Sequence, residues 1–247
     1  MKSTVLLFAL LTCFSYTSQS QPLPSKVYNW AAPGTKKIFA GSGAILSRHE
    51  MNAVTLVKGK SKKYPSHSFL ERFIIIKQGP VKITLNDSSA VLDRGSVVSA
   101  LPGDYVRIEN TGTDAAEYYL MSYQSITPAN RERGKKAGGS FMMHWNDMVF
   151  KPHAKGGVRQ LFDRQTTMLN RFDIHITTLN EGLLSHDPHT HKNEEIILML
   201  EGNAEMQIDT THQKANAGDA VFLGSMVLHN LSNIGKIPCL YFAIQWN

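Results

Sequence analysis

The clearest chemical signal in the sequence is a group of metal-ligand side chains between residues 182 and 229. His189 and His191 are two residues apart, so on a β-strand both imidazoles project from the same face. Glu195 follows four residues later and can return a carboxylate to that face, and His229 can add a third imidazole from the opposite side. Three imidazoles and one carboxylate suit Mn, Fe, Co, Ni or Zn, and they leave coordination positions open.

Two further side chains are candidates for acid–base catalysis near such a metal. Asp173 and His175 alternate with apolar residues in the strand-like segment 171–179, so they share a face with Thr177. An exposed polar face of the sheet is the alternative interpretation of this pattern. Gln245, near the end of the chain, is a similar candidate for contacting a substrate.

These residues belong to the second copy of an internal repeat. The chain aligns with itself without a gap at an offset of 123 residues, and the matches extend over the following pairs: Phe39 with Phe162, Glu71 with Glu194, Gly95 with Gly218, Asn110 with Asn233 and Tyr118 with Tyr241. Each copy consists of short alternating or apolar runs separated by Gly- and Asn-containing turns, which predicts a β-sandwich or barrel, with jelly rolls among the options. Only residues 130–136 could form a short helix.

The ligand spacing resembles the two motifs of the cupin superfamily, His-x-His-x₃-Glu-x₆-Gly followed by Gly-x₁₀-His-x₃-Asn. The chain supplies these positions as His189, His191, Glu195, Gly202, Gly218, His229 and Asn233. The usual proline of the second motif is replaced near Gly224, and Gly182 lies one residue further from His189 than is commonest. The resemblance covers about residues 165–247 and implies an all-β bicupin, with two tandem jelly-roll barrels and one divalent transition metal in the second.

The repeat predicts that the first barrel has lost this site. At the same offset the four ligands map to Ser66, Ser68, Arg72 and Val106, which do not form a metal site, and His67 should point to the other face. We expect the first barrel to serve for packing; an anion site built from Arg72 and nearby lysines is the functional alternative. The predicted domains are a signal peptide at 1–20, a cupin-like domain without metal ligands at 27–126, a linker or wrapping segment at 127–160 and a metal-binding cupin domain at 161–247.

The first residues of the chain predict export. One basic residue, a short apolar run and a small-residue step ending at Ser20 are typical of a secretory signal peptide, and the apolar run is shorter than the ~20 residues that span a bilayer. Lipid attachment at Cys13 is the alternative, for which Thr12 is a poor fit. We therefore expect a periplasmic or secreted protein, in which Cys239 has no disulfide partner after signal cleavage.

The charge pattern narrows the class of partner. The net charge is +6, but the basic residues form only two runs, at 58–63 and 131–136, and neither is interleaved with aromatic residues as a single-strand-binding surface would be. We expect a small-molecule substrate or ligand, with no nucleic acid and no membrane contact after signal cleavage. A homodimer is left open.

Three functions fit this pattern, since one barrel fold hosts several activities. The first is a metal-dependent enzyme acting on a small oxygenated or acidic metabolite, such as a sugar acid. The second is an O₂-dependent bicupin dioxygenase, an oxalate-type enzyme or an aminohydrolase resembling the ureidoglycine-processing bicupins, whose plant members use a ligand order that this sequence lacks. The third is a non-catalytic module that binds a small ligand.

Overall fold

The computed structural model describes residues 21–30 and 36–247, so the predicted signal peptide lies outside the described residues. The strands of the first half are β1 (Lys26–Tyr28), β2 (Lys36–Gly41), β3 (Leu46–Leu56), β4 (Ser61–Tyr64), β5 (Glu71–Gln78), β6 (Val81–Leu85), β7 (Ser88–Leu92), β8 (Val97–Ala100), β9 (Val106–Asn110) and β10 (Ala116–Ser125). After the helix α1 (Arg131–Lys136) come β11 (Phe141–Met143), a 3₁₀ turn (Trp145–Asp147), β12 (Phe150–His153), β13 (Gly156–Arg164), β14 (Phe172–Leu179), β15 (Glu194–Glu201), β16 (Asn203–Ile208), β17 (Thr211–Asn216), β18 (Ala220–Leu223), β19 (His229–Asn233) and β20 (Cys239–Trp246).

The strands form two barrels of two sheets each, which confirms the predicted tandem β-barrel fold. The first barrel contains the sheets β11-β8-β5-β10-β3-β2 and β4-β9-β6-β7, and the second contains β1-β18-β15-β20-β14-β13-β12 and β17-β16-β19. The strands β5 and β15, β8 and β18, and β9 and β19 each recur at the offset of 123 residues. The predicted short helix is confirmed as α1, where the Asn130 side chain caps the first turn by accepting from the Arg133 amide. No helix among the described residues has the length and apolar character needed to cross a bilayer.

The barrels pack against each other through their larger sheets. Phe172, Ile174 and Ile176 of β14 lie in the same buried cluster as Phe73 and Ile75 of β5. The alternate residues of these strands face the barrel interiors, each of which has its own apolar cluster. Both faces of β14 are therefore covered, one by the other barrel and one by the interior of its own barrel.

Two buried carboxylates link the barrels at equivalent positions. Glu194 accepts hydrogen bonds from the Ala44 amide at 2.7 Å and from Trp246 Nε1 at 3.1 Å. Glu71, its counterpart in the repeat, accepts from Tyr123 at 3.0 Å and from the Met168 amide at 3.0 Å. Each carboxylate thus holds a backbone amide of the opposite half.

The barrels also exchange short strands. β1 pairs with β18 of the second barrel, and β11 pairs with β8 of the first. The Trp30 amide donates to Asp219 Oδ1, and the Trp145 amide donates to Ser96 Oγ, at equivalent positions of the repeat. The domain boundaries stay a prediction, but the strand pairing crosses them, because β1, β12 and β13 all belong to the large sheet of the second barrel.

Candidate metal centre

Three imidazoles of the predicted site meet at one end of the second barrel. His189, His191 and His229 each offer a ligand atom, and these atoms all lie within 4.8 Å of one another. His189 and His229 are joined by two backbone hydrogen bonds of 3.1 and 3.0 Å, which form an isolated antiparallel bridge. This bridge brings the segment that carries the first two histidines beside β19, which begins at the third. Within residues 21–30 and 36–247, a group of this kind occurs here only.

The tautomers of two of these histidines fit metal coordination. His191 Nδ1 lies 2.8 Å from the Asn193 carbonyl, and His229 Nδ1 lies 2.9 Å from the Val227 carbonyl. A carbonyl oxygen only accepts, so each Nδ1 carries the hydrogen and each Nε2 presents its lone pair to the centre. His229 Nε2 is buried and has no hydrogen-bond partner among the described residues. Such an orphaned acceptor is the expected state of a ligand atom in a metal-binding site.

Glu195 completes the group on the same face. Its Oε2 atom lies 3.2 Å from His191 Nε2 and 3.3 Å from His229 Nε2. Burial acts to raise the pKa of Glu195, but hydrogen bonds and charge interactions with His191 and His229 in their protonated form outweigh it and lower this pKa to about 2, so the group is a carboxylate at neutral pH. A carboxylate oxygen and nitrogen lone pairs directed at the same point repel one another unless a cation lies between them. The donor set therefore fits a divalent transition metal.

The centre opens into a cavity of about 330 Å³ inside the second barrel. His175, Thr177 and Gln245 line this cavity together with His189, Glu195 and His229. The other face of β14 packs on the first barrel, and His175 itself is half-buried and lines this cavity, which favours the site interpretation over an exposed polar face. Asp173 is not among the lining residues; its carboxylate accepts from Arg171 and Gln160, each at 2.9 Å.

Several cavity residues were not predicted from the sequence. His153 and Lys155 come from the β12–β13 hairpin, which lies in the predicted linker. The Lys155 ammonium donates to the Ser185 carbonyl at 3.3 Å, and the His186 ring lies 4.1 Å from that of His189. Tyr241 of β20 also lines the cavity. In the sequence, Tyr241 could have been noticed because it matches Tyr118 in the repeat. That match does not show whether the tyrosine packs in the barrel core or lines a cavity.

A bulge explains why His186 reaches the cavity. In the first barrel β4 pairs with β9 without interruption, from Ser61–Glu109 to Tyr64–Val106. In the second barrel the equivalent pairing begins at Leu184–Ser232 and resumes at His189–His229, so five steps on one side oppose three on the other. The Ser185 amide still donates to the Leu231 carbonyl, so the two extra residues lie between Ser185 and His189, and His186 in this bulge lines the cavity.

The same comparison shows how the first barrel fills this position. Because Tyr64 lies opposite Val106, Tyr64 occupies the place that His189 has beside His229. The Tyr64 hydroxyl lies 2.7 Å from the Tyr118 hydroxyl, and the Arg72 guanidinium lies over its ring. Ser66 and Ser68, the positions matched by sequence offset, lie outside the strands in the turn before β5.

Comparison with known proteins places this geometry in a family. A model of the Cupin domain family matches residues 175–245. The second barrel is a cupin domain. No curated protein sequence matches the chain.

Solved structures extend the likeness to both barrels. The chain is similar to an IolB-like protein from Salmonella typhimurium LT2, with 14% identity and a TM-score of 0.67 over 90% of this chain and 92% of that one. It is also similar to a Lactobacillus farciminis oxalate decarboxylase, with 12% identity and a TM-score of 0.64 over 89% and 87%. A third structure, protein Ylba from E. coli, has 14% identity and a TM-score of 0.62 over 81% and 77%. At these identities the likeness shows the fold alone, and the fold is that of a bicupin.

Proposed function

We propose that this bicupin is an exported, metal-dependent enzyme that acts on a small acidic, hydroxylated metabolite of the sugar-acid type. The metal ligands in this proposal are His189, His191, Glu195 and His229. The observation that carries it is the direction of the donor atoms, since two Nε2 lone pairs and a buried carboxylate oxygen face one point at the wall of an open cavity. A bound divalent metal would supply Lewis acidity to a substrate oxygen.

The cavity lining supports the substrate class. Among the described residues that line the cavity, Glu195 is the only carboxylate, whereas Lys155 contributes an ammonium group. An anionic group of the substrate is therefore attracted to the side of Lys155. The hydroxyls of Thr177, Ser185 and Tyr241 also line the cavity and can hydrogen-bond to hydroxyls of the substrate.

The protein residue that we assign to proton transfer is His175. It lies on the wall of the same cavity as Glu195 and His229, on a strand held between two others, and it is not one of the proposed ligands. An imidazole in this place can act as a general acid or base towards a substrate bound in the cavity. Asp173 stays a weaker prediction, because its carboxylate is held by Arg171 and Gln160.

Metal analysis of the purified mature protein tests the centre. We expect about one equivalent of transition metal per chain in the wild type and in H212A, and a large loss in H189A. His212 is a suitable control because it lies on β17, away from the cavity, and pairs only with Glu205. Less than about a tenth of an equivalent in the wild type, or the same content in H189A, would contradict a catalytic metal.

Turnover assays then separate the reaction classes. We expect loss of a sugar-acid substrate without oxygen consumption, and a strong decrease in kcat for H175A with its metal content retained. Oxygen consumption with catechols, flavonols or oxalate would replace the proposal with a dioxygenase or oxalate-type enzyme. A ligand-induced increase in Tm without turnover would replace it with a binding module. Recovery of a chain beginning after Ser20 from the periplasm or medium tests export.

A further inference from the structure

The first barrel contains a buried cation at the position of a metal ligand in the second. Arg72 is the second residue of β5 as Glu195 is the second residue of β15. Arg72 is only 5% exposed, and its Nη1 atom is buried without a hydrogen-bond partner. Its guanidinium lies over the Tyr64 ring, whose centroid is 5.5 Å from Arg72 Cζ. Burial lowers the pKa of Arg72, as expected for a cation without a counter-ion.

No carboxylate of the described residues neutralises this cation. The adjacent Glu71 points to the other face of β5, where Tyr123 and the opposite barrel hold it. Arg72 is paired with Ser122 on the neighbouring strand β10, and Ser122 is paired with Glu50 on β3, the next strand of the sheet. Glu50 accepts from Arg48 and Asn52 instead. A buried charge without a partner is costly, and a bound anion removes that cost.

A second donor belongs to the tyrosine whose ring Arg72 contacts. The Tyr64 and Tyr118 hydroxyls are 2.7 Å apart, so one of them donates to the other. The accepting hydroxyl keeps its own hydrogen, which is free to donate to a third group. Arg72 Nη1 and this phenol hydrogen together form a pair of donors suited to the oxygen of a small anion.

We propose that the first barrel binds a small oxyanion, of the size of a simple carboxylate, at Arg72 and the Tyr64–Tyr118 pair. This site is separate from the metal centre and does not depend on it. The loss of the metal ligands has then replaced a cation site by an anion site at the same place in the fold, because a guanidinium stands where the carboxylate stood.

Formate is the probe, and ¹³C-formate line broadening with the increase in Tm on formate addition is the readout. The full chain carrying H229A is used after dialysis against a chelator, so that formate cannot bind through a metal. We expect saturable binding to this protein, and R72M should weaken it by about tenfold or more, because a charged hydrogen bond is lost. K62M removes the same charge from the exposed strand β4 and should leave binding unchanged.

The outcomes are decisive in both directions. No saturable binding, or equal binding in R72M, overturns the proposal. If R72M does not fold, R72K takes its place, because the ammonium keeps the charge but cannot reproduce the guanidinium geometry, and formate affinity should again decrease by about tenfold. Unchanged affinity in R72K overturns the proposal as well.

Discussion

The adjacent residues Glu194 and Glu195 at the start of β15 have different proposed roles, one in the contact between the barrels and one in metal binding, and substitutions can test them separately. Glu194 and Glu195 are equally buried, each with 4% exposure, but they face opposite sides of the sheet. We expect E194Q to destabilise the contact between the barrels while metal binding is retained. We expect E195Q to abolish tight metal binding without acting on the contact between the barrels.

The expected magnitude follows from the contacts of Glu194. Its Oε1 accepts from the Ala44 amide and its Oε2 from Trp246 Nε1, so a glutamine, with one acceptor oxygen, must leave one donor unpaired. Hydrogen bonds to charged groups contribute roughly 1.5–3 kcal/mol, and an unpaired buried donor adds to the loss. We therefore expect E194Q to lower the free energy of unfolding by about 2–4 kcal/mol. For a chain of this size that corresponds to a decrease in Tm of about 4–16 °C.

Urea unfolding of the metal-free variants and metal titration of the folded ones measure both quantities. E195Q should weaken metal affinity by at least about 100-fold, since it removes a proposed ligand rather than an outer-shell partner. In the metal-free protein E195Q should also lower the unfolding free energy, because the lowered pKa of Glu195 means that its carboxylate stabilises the folded chain through His191 and His229. If E194Q weakens metal affinity as much as E195Q does, the assignment of opposite faces is refuted.

Other predictions concern the contact between the barrels. Burial lowers the pKa of His49 from 6.5 to about 3. The contribution of neutral His49 to stability is therefore complete above pH 6.5 and is lost as the pH falls towards 3. In urea unfolding, H49F should reduce this loss of stability at acidic pH. Burial raises the pKa of Glu71 from 4.5 to about 7. The contribution of protonated Glu71 to stability is therefore complete below pH 4.5 and is lost as the pH rises through 7. E71Q should reduce that loss, and the same loss of stability in E71Q as in the wild type would contradict this prediction. A Cβ at Gly43 would overlap the Glu194 carboxylate, so G43A should lower stability by about 1–3 kcal/mol, whereas G224A, with no atom closer than 3.3 Å, should lower it less.

Periodicity and spacing predicted the parts of this protein that depend on local sequence. The alternation in residues 171–179 predicted β14. The helix expected at residues 130–136 forms, with Asn130 as its N-cap. The i, i+2 spacing of His189 and His191 predicted that both imidazoles share one centre, and they do, although their segment forms an isolated bridge to His229 rather than a strand.

The remaining features depend on which segments pair, and no local pattern encodes that choice. Strands of three residues such as β1 and β11 are too short for a period to appear. Trp30 and Trp145 also repeat at an offset of 115 residues rather than 123, so they fall outside the main register. The sequence alignment does not show the bulge that follows Ser185 either. The second barrel has two more residues before His189 than the first has before Tyr64, but two fewer between His189 and Glu194, so the alignment stays ungapped.

The exchange of β1 and β11 has a consequence for how the chain reaches its native state. Strand β18 needs residues 26–28, from the beginning of the described chain, and β8 needs residues 141–143, from beyond the end of its own barrel. Each large sheet needs a segment from outside its own half, so the unpaired edge of β8 or of β18 remains exposed in a half expressed alone. We therefore infer that the two barrels unfold in a single cooperative transition, and that their many contacts between distant residues make folding slow.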